Sequence, residues 1–221
     1  MDADRAGRTL RRLTTPRAAA LAGVLFAVLG GASILLMALL PRDPGAGTEW
    51  IRSGASQVRL ALTLTPFAGL AFLWFIGVVR DRFGELEDRF FSTVLLGSGL
   101  LFLAMYFAAM SIAGGLVSSP VPDGPAYSVE VIRFGRSIMV QTFNVFALKM
   151  AGTFMISLGI MWLRTGLMPR WLAVVTWIGA AVLIVTVSQD LFLFLVFPGW
   201  VLLVSVVHLL RTSRGLVADA G

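Results

Sequence analysis

Apolar residues come in long, nearly unbroken runs along this chain, and polar residues gather between them. The runs 18–40, 58–79, 91–117, 138–162, 171–187 and 190–210 each hold at most one formal charge. A helix rises about 1.5 Å per residue, so roughly 20 residues cross a hydrocarbon core about 30 Å thick. The pattern predicts an all-α integral membrane protein with six transmembrane helices. They form a single domain over 18–210, preceded by a basic arm over 1–17 and followed by a short tail over 211–221. Residues 171–210 are apolar except for Ser188, Gln189 and Asp190. Forty residues is about twice one span, so the trio predicts a tight turn, with Asp190 capping the sixth helix. The run 18–40 is longer than the roughly 7–15-residue core of a secretory signal, which favours a span.

Breakers and small residues modify that pattern. Pro66 predicts a kink in the second helix, and Pro198-Gly199 an interruption of the sixth. Gly30-Gly31, Gly97-Ser98-Gly99 and Gly114-Gly115 predict close helix contacts. Trp162 and Trp171 frame the turn 163–170 as interface anchors, and His208 falls at the end of the sixth run, at an interface.

The run 138–162 carries Lys149, the chain's single lysine, close to its middle. A lysine at mid-bilayer costs on the order of 3 kcal/mol, so it needs a reason. Helical spacing sets Thr142, Phe146, Gly152, Thr153 and Ile156 on its face. Gln141 is turned about 80° aside and Asn144 about 140°. Polar groups that point several ways predict a fourth helix surrounded by its neighbours. Lys149 then lines a polar centre or, on the plainer reading, snorkels or makes one structural ion pair. Asp190 is its expected carboxylate partner. The expected substrate-binding residues are Lys149, Thr153, Gln141, Asn144 and Asp190.

Charge sets the threading. Twelve arginines fall on the side of the two termini and five on the other. The positive-inside rule places both termini in the cytoplasm. The net charge of +6 is thereby explained by membrane flanks, without nucleic acid as a partner. A charged fraction of 14% and hydrophobic fraction of 57% agree with a membrane composition, since soluble domains carry about 25% charge.

The absence of cysteine excludes disulfides and thiolate chemistry, and one histidine excludes multi-histidine metal sites. Asp81, Glu85, Glu87 and Asp88 form an acidic group, but Arg80, Arg82 and Arg89 stand among them to pair with it. No phosphate-binding loop, zinc motif or nucleophile elbow occurs. Neither a cofactor nor a metal is expected, and an intramembrane enzyme is held back by the lack of a nucleophile–base pair.

The arginine-rich, lysine-poor inner turns, LWFIGVVRDRFGELEDRFF and MWLRTGLMPRWL, resemble those of uncharacterised polytopic inner-membrane protein families of high-GC bacteria. The resemblance implies a bacterial inner-membrane location and transfers no site residues. The leading expectation is a multi-pass protein that binds or helps transport a small molecule or ion around Lys149, with the lipid bilayer as its medium and a homodimer as its expected assembly. The alternative is a structural or regulatory subunit with no substrate.

Overall fold

The computed structural model describes residues 2–40, 49–83, 89–118, 127–186 and 191–218, and their regular structure is helical throughout. The helices are α1 (Asp2–Ala38), α2 (Glu49–Phe83), α3 (Arg89–Val117), α4 (Val129–Gln141), α5 (Leu148–Thr165), α6 (Arg170–Val185) and α7 (Leu191–Ala218). A π-helical segment, Thr142–Ala147, joins α4 to α5 without a break. Among the described residues, five stretches are long and apolar enough to cross a membrane: Ala20–Ala38, Ser53–Asp81, Phe90–Val117, Val129–Thr165 and Leu193–Arg211. The sixth apolar helix, α6, has 16 residues, or about 24 Å.

Helices overrun the apolar runs. The basic arm continues as the first half of α1, and α2 begins at Glu49, ahead of its apolar run. Neither inner proline ends its helix: Pro66 lies inside α2 and Pro198 inside α7. The expected interruption at Pro198-Gly199 is therefore absent. A proline ring removes one backbone donor, and packing on both sides holds the helix together across the gap. The turn 188–190 lies outside the described residues.

The packing order follows from side chains that meet. α1 lies against α2 and α7, α2 against α3, α3 against α4 and α5, and α5 against α6. Five phenylalanines, one from each of α1, α2, α3, α5 and α7, converge at the centre: Phe26, Phe72, Phe102, Phe154 and Phe197, all fully buried. Phe26 and Phe72 are 4.6 Å apart between ring centroids, and Phe102 and Phe197 4.7 Å. Lipid tails are as apolar as these rings, so close packing rather than water expulsion holds helices together here. Each aromatic pair adds about 0.5–1.5 kcal/mol beyond its area. Above the rings, Ser33 Oγ donates to Ala61 O (3.0 Å), shares a hydrogen with Thr65 Oγ1 (3.0 Å), and Thr65 Oγ1 lies 3.4 Å from Tyr106 Oη. That chain ties α1, α2 and α3 together.

Contacts also give the helices' directions. Phe26 meets Phe197, and a side chain at Gly23 would strike Ser205. The start of the apolar part of α1 and the end of that of α7 thus share one end of the bundle. Phe194 meets Phe143 near the other end, and Arg211 Nη1 donates to Leu167 O (3.0 Å) at the first. Trp162 and His208 are buried against neighbouring helices. Trp162 packs on Trp200, with centroids 6.2 Å apart, and leaves Trp171 as the exposed indole of that turn.

Candidate functional site

Lys149 is the side chain to place first. Its Nζ donates to Leu183 O (2.8 Å) and Thr186 O (2.7 Å). Both carbonyls belong to the C-terminal end of α6, where the last turn has no helical donors of its own. The ammonium also faces the negative end of the α6 dipole. α6 runs antiparallel to α5: Gly159 faces Thr176 and Trp177, Gly152 faces Ala180 and Ile184, and Lys149 faces the end. Glycine is required at 152, where an added Cβ would stand 3.1 Å from Ala180 O and 2.7 Å from Ile184 Cγ1. Lys149 thus caps a helix that stops short. Thr153 donates to the Lys149 carbonyl (2.9 Å) within its own helix. Asp190 lies outside the described residues, as do the side chains of Glu85, Glu87 and Asp88. Asp81 is exposed, and no trio of metal-ligating side chains gathers among the described residues.

The other polar residues of this span part company at the π-helical segment. One π turn admits an extra residue and rotates everything before it relative to everything after. Leu148 N–H accordingly donates to Phe143 O, five residues back. Gln141 is left on the exposed surface, and Phe146 beside it is 55% exposed. Asn144 turns inward and is 4% exposed. The expected face shared by Thr142, Phe146 and Lys149 assumed 3.6 residues per turn throughout, and the π-helical segment between Thr142 and Ala147 shifts Thr142 relative to the other two.

Asn144 borders a cavity of about 90 Å³ between α1, α3, α4 and α7. Met37, Met110, Met139, Phe143 and Phe194 supply apolar walls, and Tyr106 and Arg136 supply polar groups. The Asn144 Oδ1 is buried and accepts no hydrogen bond. Pro198 has no N–H, so it cannot donate to the carbonyl four residues back, that of Phe194 on the same cavity wall. The lining therefore combines the Tyr106 hydroxyl and the Arg136 guanidinium with the Asn144 amide. Arg136 and Tyr106 were not among the expected site residues. Arg136 read as a membrane flank and Tyr106 as part of an apolar run. The cavity lining includes Asn144 with these two, and does not include Lys149, Thr153 or Gln141.

No family model, curated protein or solved structure matches the chain. The cavity lining joins an amide, a phenol and a guanidinium to apolar walls, and the Asn144 Oδ1 is buried without a hydrogen bond. Leaving such a group buried costs about 1–3 kcal/mol.

Proposed function

We propose that this chain is a six-span protein of a bacterial inner membrane, with both termini in the cytoplasm, that binds a small molecule inside its bundle and serves its transport. The observation that carries the reading is the cavity of about 90 Å³ inside the bundle, with Asn144, Tyr106 and Arg136 among its lining residues. The binding centre moves accordingly from Lys149, whose ammonium is engaged by α6, to Asn144, Tyr106 and Arg136. α6 counts as the remaining crossing because it returns along α5 and α7 then runs back. The excess of arginine on the terminal side supports the orientation, and it puts the cavity in the outer half of the bilayer.

The chain has no cysteine, so a single introduced thiol reports without background. Met110→Cys, reconstituted with the termini inside, should react with a small membrane-impermeant thiol reagent added outside. A thiol that stays unreactive from both sides would sink the reading. A structural subunit is the second reading. Side chains added at Gly77, Gly97, Gly115 or Gly199 would meet no neighbouring atom within 4 Å. Those positions leave surface on which small residues could seat a second copy or another subunit.

A further inference from the structure

Lys149 leaves one need unmet. An ammonium has three N–H donors, and Leu183 O and Thr186 O take two of them. The end of α6 also brings only about half a negative charge against a full positive one. Among the described residues no carboxylate pairs with the group. Resting on the membrane placement above and not on the cavity, we propose that Lys149 and Gln141 together hold a phospholipid of the outer leaflet. A phosphate oxygen accepts from Lys149 Nζ, and the headgroup beyond it meets the Gln141 amide.

Access, face and depth each point to that ligand. The ammonium is only lightly covered by protein. It lies against Thr186, which is exposed, and Val185 beside it is 80% exposed. A ligand therefore reaches Nζ from the lipid-facing side. Gln141 shares that side because of the π turn. The two residues are eight apart in sequence. The extra residue admitted within Thr142–Ala147 makes them equivalent to i and i+7 of a regular helix, two turns apart on one face. Gln141 is exposed, and so is Phe146 between them. Depth then fits the order of groups in a phospholipid. Arg164, 4.6 Å from the centroid of the Phe91 ring, marks the cytoplasmic edge of α5. Lys149 is 15 residues further along, or about 22 Å. That leaves roughly 8 Å to the outer edge of a hydrocarbon core about 30 Å thick. Gln141, about 10 Å beyond Lys149, reaches that edge. A lipid drawn down beside the short α6 brings its phosphate to Lys149 and keeps its headgroup level with Gln141. The phosphate is the deeper of those two groups in a bilayer, as the site requires.

The test counts lipids retained by the full chain in native mass spectrometry from detergent. Three dioleoyl probes share their tails. Dioleoylglycerol lacks phosphate, phosphatidylethanol has the phosphate without headgroup hydroxyls, and phosphatidylglycerol has both. Phosphatidylethanol should half-occupy the protein at about one-tenth the concentration that dioleoylglycerol needs, as one charge-assisted hydrogen bond predicts. Phosphatidylglycerol should bind about threefold more tightly again, through Gln141. Lys149→Met should abolish the preference for phosphate. Lys149→Arg, which keeps the cation, should retain most of it and guards against a folding defect in the methionine variant. Gln141→Leu, a change at an exposed position, should make the two phospholipids equal and leave the preference for phosphate intact. A phosphate preference that survives Lys149→Met would trace it to the basic flanks and overturn the proposal. Tighter phosphatidylglycerol binding in Asp190→Asn would make that carboxylate the native partner of Lys149 and overturn it too. Displacement of the lipid by millimolar glycerol 3-phosphate would make the site one for soluble phosphate, with the same consequence. None of these outcomes alters the labelling of Met110→Cys, so the cavity reading stands or falls separately.

Discussion

Lys149 and Asn144 sit five residues apart and present opposite problems. Both are polar groups in an apolar run, and both are costly to bury without partners. Lys149 is answered by two carbonyls of α6, whereas Asn144 Oδ1 is not answered at all. Substituting each should separate the two cases. Lys149→Met strips donors from the end of α6 and should lower stability by about 1–3 kcal/mol. Lys149→Arg, which keeps a cation of similar reach, should restore most of the loss. Thermal unfolding in one detergent checks both, and a methionine variant as stable as the parent would show that the cap is not needed. That Lys149 required a partner was legible in the sequence, because a lone charge in an apolar run is conspicuous. Which partner was not legible. Backbone carbonyls carry no residue-type signal, and the end of α6 became available only because that helix is short. Asn144 was legible as a polar residue and not as part of a cavity, since its direction depends on the π turn.

At the scale of helices, the apolar runs located each one and misjudged how it ends. Hydropathy reports where lipid-compatible residues lie, and helices continue into polar segments whose residues favour helix, as the arginine- and alanine-containing start of α1 does. Prolines misled in a similar way. A lost hydrogen bond is visible in sequence, and the packing that compensates for it is not. The α5–α6 pair shows what close approach requires. Gly152 and Gly159 on one helix face Ala180, Ile184 and Trp177 on the other. Gly152→Leu should force the pair apart and cost about 1–3 kcal/mol or more. Gly77→Ala is the matched control: that position has open space, and alanine favours helix by up to about 1 kcal/mol. The melting temperature should fall for the first and hold or rise for the second. Equal effects would mean that the glycines are not what brings the helices together.

Taken whole, the molecule is a five-helix packing with α6 laid along its outside. The fourth apolar window is the most enclosed, with 61% of it buried against 39–44% in the other four. Its many polar residues had predicted such a central place. The periphery has a different consequence. Among the described residues, five helical stretches are long enough to match a bilayer about 30 Å thick, and α6, with 16 residues, spans only about 24 Å. A membrane around such a protein has unequal edges. Lipids beside α6 must compress by several ångströms, or headgroups and water must dip to meet Lys149 and the end of the helix. Hydrophobic mismatch costs a fraction of a kcal/mol per ångström, so bilayer thickness acts on this protein asymmetrically. Reconstituted into a series of phosphatidylcholines from 14 to 22 carbons per chain, it should unfold at the highest temperature in the shorter members, with the Lys149→Met variant losing most in the longest. Identical melting across the series would mean that the bilayer does not register the short helix. Otherwise one truncated helix makes acyl-chain length a direct control on the stability of the whole bundle.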